Sequence, residues 1–403
     1  MPRRRFPMVA FAALLILLAW PFSHLDASPN EDPHIVVIGG VKGAAQTVAA
    51  LLEHLELIDT EQHWSGGDTI LIQTGDLVDG GENVRATLDL FMRLQSEATD
   101  AGGRVIVLMG NHEAMNMLGE LRDVNYMAYR HFADSDSEDR QRRAWEQWLA
   151  WRQRRADALG VKFEATVQIE AEWFAAHPIG WTEYADSMRP EGVYGSWSRS
   201  LPVAVEIDKI LFIHAGIGPE YENRDVASIN RRAADEITRF DESRRFMVEK
   251  GLCLPTASVS ELAEILKEEV TFLNELGSSR RRVIQRRRAD VQEVAELGHA
   301  GSWSLFDTQG PLWFCGAAKG AEEELGPHLA SILDTFDVDR MVTGQSAGRE
   351  RIIRTRFDNR VLLTSIDMSD DPYVRGGKPA ALEIEDGDFF VVTLNSRELL
   401  IDN

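Results

Sequence analysis

Three short runs in this 403-residue chain carry side chains whose types and spacing can do chemistry. GDLVDGG places Asp76 three residues before Asp79, GNHE sets Asn111 beside His112 and Glu113, and HAG carries His214. Asp, Asn and His offer the oxygen and nitrogen lone pairs that suit Mn, Fe or Zn. A histidine held by a carboxylate can also pass a proton near neutral pH. Each run alone has a plainer reading: GNHE can simply open a helix, and a histidine after an apolar strand is usually a satisfied core residue. What favours chemistry is that all three occur in one chain, each where an apolar strand runs into a loop.

The elements that must hold these turns are legible in the hydrophobic pattern. Ile35–Ile38 reads as a buried strand that runs through Gly39–Gly43 into a helix with Val48, Leu51, Leu52 and Leu55 on one face. DTILIQTGDLVDGG, GRVIVLMGNHEAMNML and KILFIHAGIGPEY repeat the pattern of strand and polar turn, and DRMVTGQSAGRERIIRTRFDNRVLLTSIDMS adds strands late in the chain. This is the pattern of an α/β fold whose turns gather at one sheet edge.

Two stretches read as helical insertions. In residues 135–190, Trp145, Trp148 and Trp151 lie close to one helical face, a spacing that predicts packing against the body. Residues 225–300 read as a helical hairpin, in which Ser258 and Glu261 form a capping box and Gly277 ends the first arm. The second arm carries Arg280–Arg282 and Arg286–Arg288, either a solvated helix face or a contact for an acidic partner.

A net charge of −22 argues against non-specific nucleic-acid binding and against a polybasic membrane patch on the folded body. The N-terminus breaks that pattern: Arg3, Arg4 and Arg5 precede the apolar stretch Phe6–Phe22, the layout of an export signal. Residues 1–27 are therefore expected to be a signal peptide with a cut after Ala27, or an uncleaved inner-membrane anchor. Residues 28–33 form a linker and 34–403 the working domain, which places the protein in the periplasm, with membrane contact only through an uncleaved N-terminus. Two cysteines, Cys253 and Cys315, allow one disulfide or two free thiols, and the sequence does not decide between them.

With these runs on the page, the chain resembles the calcineurin-type metallophosphatases, and within them the Shewanella-like protein phosphatase branch. GGDTILIQTGDLVD, MGNHEAMNMLGELRDV, LFIHAGIGPEY, GPLWF and GGKPAALEI carry the resemblance. It implies a two-sheet sandwich flanked by helices, with a two-metal site at one edge that hydrolyses phosphate monoesters through a metal-bound water. Position by position, it assigns Asp76 as the bridging aspartate and Asn111 and His214 as second-metal ligands. His112 matches the general acid, Asp79 the residue that orients it, and Glu113 a support for the turn.

The same comparison marks departures. Where the family reads Gly-Asp-x-His-Gly, this chain reads Gly39, Gly40, Val41, Lys42, Gly43, without the two ligands particular to the first metal. Gln345 stands where a histidine binds the second metal, and Gly80 and Cys315 stand where the family has arginines suited to phosphate. The resemblance therefore implies at most one divalent metal (Mn, Mg, Fe or Zn) held by Asp76, Asn111, His214 and Gln345, or none. Two readings follow: a pseudophosphatase kept as a binding or regulatory module, or a weak single-metal hydrolase. The ligand is a phosphorylated protein or another phosphomonoester. Lys42 either sets its ammonium beside Asp76, replacing part of the missing metal charge, or points into solvent.

Overall fold

The computed structural model describes residues 33–402, apart from 223, 276–280, 346–351 and 369–377, and only the backbone of 281–284. The expected signal or anchor, Gly277, Arg280 and the start of GGKPAALEI lie outside the described residues. Among the described residues, no helix is long and apolar enough to cross a membrane.

Eleven strands are described: β1 (Ile35–Ile38), β2 (Ile70–Gln73), β3 (Arg104–Val107), β4 (Ala204–Ile207), β5 (Ile210–Ile213), β6 (Arg340–Thr343), β7 (Arg354–Arg356), β8 (Val361–Leu363), β9 (Ala380–Glu385), β10 (Asp388–Thr393) and β11 (Ser396–Ile401). They form two mixed sheets, ordered β11-β10-β9-β1-β2-β3 and β4-β5-β6-β8-β7. IVVI of β1 is buried throughout because it lies between parallel β2 and antiparallel β9, where a strand covered on both faces must be apolar at every position. β1, β2 and β3 are parallel, with Val37 opposite Ile72 and Ile72 opposite Ile106, so their carboxyl ends open at one edge. In the second sheet β5, β6 and β8 are parallel.

Thirteen helices are described. Those nearest the sheet ends are α1 (Ala45–His54), α2 (Val84–Ala101), α3 (Asn111–Met117) and α4 (Tyr126–Arg130). The long connection from there to β4 holds α5 (Ser137–Leu159), α6 (Val167–Ala176), α7 (Trp181–Ser187) and α8 (Val193–Ser198), and the connection from β5 to β6 holds α9 (Val226–Glu249), α10 (Val259–Glu275), α11 (Arg281–Glu293), α12 (Gly316–Lys319) and α13 (Glu322–Phe336). In α1 the expected face is buried at Val48, Leu51 and Leu52, while Leu55 falls on the C-cap. The tryptophans of α5 do pack inward: Trp145 stacks on Trp148 at 5.3 Å and meets Trp173 of α6 at 5.5 Å. The stretch read as a hairpin holds three helices rather than two. The capping box at Ser258 and Glu261 is present, but it opens α10, and α9 precedes it with its own N-cap, Asp225. Cys253 and Cys315 are not joined by a disulfide.

The two sheets are joined at the edge where the loops open. Gly39, just after β1, bridges Ser365, just after β8, and the Met368 N–H donates to the Gly40 carbonyl at 2.7 Å. His214, just after β5, likewise reaches across through Nδ1 to the Thr74 carbonyl, just after β2, at 2.7 Å. Residues from both sheets therefore face one another at this edge.

Candidate functional site

Gly75 lets the turn after β2 come close to its neighbours. It has φ +90°, and a Cβ there would stand 2.6 Å from His214 Nδ1 and 2.7 Å from the Gly110 backbone, so only glycine fits. Asp76 follows with φ +64° and Asp79 with φ +65°, left-handed conformations that non-glycine residues adopt at a cost of about 1–3 kcal/mol each. The carboxylate of Glu113 holds this strained turn. It accepts from the N–H of Asp76 (2.8 Å), Leu77 (2.7 Å), Val78 (3.2 Å) and Gly110 (2.8 Å). Glu113 thus supports the loop from beneath and ties it to the start of α3.

Asp76, Asn111 and His214 come together although they lie on three separate loops. His214 Nδ1 donates to the Thr74 carbonyl at 2.7 Å, so Nε2 is left facing Asn111 Oδ1 at 2.9 Å and Asp76 Oδ1 at 3.4 Å. Asp76 Oδ1 is buried and has no hydrogen-bond partner. An orphaned carboxylate oxygen, an amide oxygen and an imidazole nitrogen that converge in this way suit an electropositive centre between them. Burial pushes the Asp76 carboxyl up, but the charges of His214, His112 and Lys42 and the His112 N–H outweigh it and hold the carboxyl below its usual range. Glu113 moves the other way, raised by burial and by the charge of Asp76.

His112 is positioned by a chain of side chains. Its Nδ1 pairs with Asp79 Oδ2 at 2.7 Å, Asn116 Nδ2 donates to both Asp79 oxygens at 3.0 and 3.1 Å, and the Tyr184 hydroxyl donates to Asn116 Oδ1 at 2.6 Å. Burial opposes charge on His112, but Asp76 and Asp79 prevail and raise its pKa to about 9. The imidazolium, the form that can give up a proton, is therefore held well above neutral pH. Two members of this chain escaped the sequence reading. Asn116 lies one helical turn after His112 in GNHEAMN, a spacing that could have flagged it. Tyr184 lies on α7, and no local signal links it to Asp79.

The remaining site positions are placed as follows. Gly40 (φ +65°) and Lys42 (φ +44°) sit in the loop after β1, where the Lys42 N–H donates to the Asp76 carbonyl at 2.8 Å. Lys42 is half-buried, and its charge is among the causes that lower the pKa of both Asp76 and His112. Glycine has no side-chain lone pair and an ammonium donates only, so this loop offers a cation backbone carbonyls alone. The Gly80 carbonyl accepts from Asn125 Nδ2 at 2.9 Å. Cys315 Sγ donates to Gln345 Oε1 at 3.1 Å. Among the described residues, no group of three or more His, Cys, Asp and Glu is arranged to hold a metal ion. The convergent set is one carboxylate, one imidazole and one amide.

Two mixed sheets flanked by helices, with Asp, Asn and His turns gathered on the carboxyl edge, define a calcineurin-like phosphatase fold. The chain belongs to the calcineurin-like phosphoesterase family, whose model matches residues 32–344. Among known relatives it is 22% identical over 245 residues to Shewanella-like protein phosphatase 1 of Plasmodium berghei (strain Anka), covering 59% of this chain and 56% of that protein. It is 25% identical over 231 residues to Shewanella-like protein phosphatase 2 of Arabidopsis thaliana, covering 53% and 54%. The chain thus spans a little over half the length of these curated relatives. A cold-active protein-tyrosine phosphatase of a psychrophilic Shewanella species has the same fold, with a TM-score of 0.55 at 21% identity over 92% of this chain and 80% of that one. These relatives support the Shewanella-like branch that the motifs resemble.

Proposed function

We propose that this protein is a pseudophosphatase: a calcineurin-like phosphoesterase fold kept as a binding or regulatory module, whose edge site receives a phosphorylated protein or another phosphomonoester. The observation that carries this reading is the loop after β1, where Gly40 and Lys42 stand at the family's ligand positions and offer neither carboxylate nor imidazole. An ammonium offsets part of the carboxylate charge but cannot lower the pKa of a bound water as a metal does. Gly80 and Cys315 also lack the charge that an arginine would bring to phosphate oxygens. A Lewis acid is worth several kcal/mol and each 1.36 kcal/mol is tenfold in rate, so turnover is expected to fall by several orders of magnitude.

A single-metal hydrolase is the second reading, favoured by the orphaned Asp76 Oδ1 facing His214 Nε2. Asp76, Asn111 and His214 would hold the cation, with the Gln345 amide as a further candidate donor, and the cation would supply a Lewis acid. His112, oriented by Asp79, would hold the proton that a departing alkoxide needs.

One experiment separates the two. Metal content of the purified chain is measured alongside turnover of a generic phosphate monoester with added Mn, for the native protein and for His112→Asn. The pseudophosphatase reading expects less than one metal per chain and equal background rates. Metal-dependent turnover that His112→Asn abolishes would establish the hydrolase instead. Export to the periplasm is part of the same proposal, and N-terminal sequencing of the mature protein tests it: a start after Ala27 is expected.

A further inference from the structure

Away from the edge site, the fold brings together basic residues that the sequence holds far apart. α5 contributes Arg154 and Arg155, the turn after α9 contributes Lys250, and α11 contributes Arg286 and Arg287. With Glu269 of α10 and Asp290, these line a recess of about 570 Å³. The recess floor is an ion-pair cluster. Buried Glu269 accepts from Arg155 Nη1 at 3.1 Å and from Arg287 Nη2 at 2.6 Å, and Arg155 also reaches Glu268 at 2.8 Å. Lys250 is neutralised by Asp290 at 2.5 Å. Among the described residues, neither Arg154 nor Arg286 forms an ion pair with a carboxylate, and both are exposed. Five cationic side chains against two anionic ones therefore line this recess, in a protein whose net charge is −22.

We propose that this recess docks an acidic segment of a partner protein, with Asp or Glu carboxylates pairing with Arg154 and Arg286. Guanidinium forks match carboxylates two bonds at a time. At physiological ionic strength charges are screened beyond about 8 Å, so a short acidic segment feels the arginines rather than the acidic remainder of the molecule. A net charge of −22 disfavours a nucleic-acid duplex, whose long-range field meets the whole molecule. A bilayer is flat and would not enter a recess bounded by α5, the turn after α9 and α11. The recess contains none of the edge-site residues, so this inference stands or falls independently of the pseudophosphatase reading.

The test uses the full chain and a fluorescein-labelled peptide rich in Asp and Glu, followed by fluorescence anisotropy as salt is raised. The double variant Arg154→Glu/Arg286→Glu is expected to bind at least about tenfold more weakly, a change of 1.4 kcal/mol, with an unchanged circular dichroism spectrum. The control is Arg231→Glu/Arg239→Glu, in a second arginine-containing groove on α9, and is expected to bind as the native chain does. No binding by the native chain, or an equal loss in the control, would overturn the proposal. Displacement by inorganic phosphate where chloride of equal ionic strength has no effect would overturn it in favour of a phosphate site. Capture by phosphatidylserine vesicles but not by the peptide would overturn it in favour of a membrane.

Discussion

If the protein is the pseudophosphatase proposed above, Gly40 decides how far the edge site can be restored by substitution. It has φ +65°, and a Cβ at this position would stand 2.8 Å from the backbone nitrogen of Asp367, in the segment whose Met368 N–H donates to the Gly40 carbonyl. Backbone cannot swing aside as the end of a flexible side chain can. Reinstating the family's donors with Gly40→Asp and Lys42→His is therefore expected to leave metal content unchanged and to lower the melting temperature. Elemental analysis and calorimetry check this, and a variant that takes up two metals per chain would contradict it. Glu113 is the complementary case, a buried carboxylate on which four backbone donors converge. Glu113→Ala leaves those N–H groups without an acceptor, at about 1–3 kcal/mol for each that water cannot reach. The expected loss is at least about 3 kcal/mol of stability, read as a lower urea midpoint.

At the scale of elements, the first sheet carries a pH-sensitive clasp. His34, at the start of β1, pairs through Nε2 with Glu383 of β9 at 3.0 Å and through Nδ1 with Thr69 Oγ1, just before β2, at 3.1 Å. The Glu383 hydrogen bond raises His34 above 6.5 despite burial, and the His34 hydrogen bond lowers Glu383 below 4.5 despite burial. The histidine contribution is complete below pH 6.5 and is lost as pH rises through its raised pKa; the glutamate contribution is present above pH 4.5 and is lost as pH falls through its depressed pKa. The clasp is therefore strongest between those limits. His34→Gln is expected to cost more at pH 5.5 than at pH 8.5, by no more than about 1 kcal/mol because the pair is partly solvated. Thermal melts of both proteins at the two pH values measure it. The helices show the same division between local and distant signals. Ser258 and Glu261 cap α10 as their spacing predicts, whereas the inward turn of Trp145 depends on Trp173 of a different helix.

For the whole molecule, the cysteines offer the simplest check on how the chain packs. Cys253 is buried, with its thiol pushed up to about 12 by that burial, while Cys315 is half-exposed beside Gln345. Only the thiolate reacts readily. One thiol, Cys315, is expected to react with Ellman's reagent in the native protein and two after unfolding. A reductant is expected to leave the melting temperature unchanged. Recovery of a Cys253–Cys315 disulfide from the native protein by mass spectrometry would show that the chain packs differently.

Much of this was legible in the sequence because it is local. The strand Ile35–Ile38, the turn at Gly75–Asp76 and the helix opened by GNHE follow from side chains a few residues apart, whereas the absence of donors at Gly40 and Lys42 is what the family resemblance implies. Periodicity and turn chemistry are properties of short windows, so one chain suffices to read them. Tertiary structure alone decided what crosses those windows. It brought Asp76, Asn111 and His214 together from three loops, set Tyr184 behind Asn116, and gathered the arginines of α5 and α11 around Glu269. These contacts depend on how two sheets and two helical insertions pack, and no single stretch of sequence encodes the direction in which a distant side chain will point.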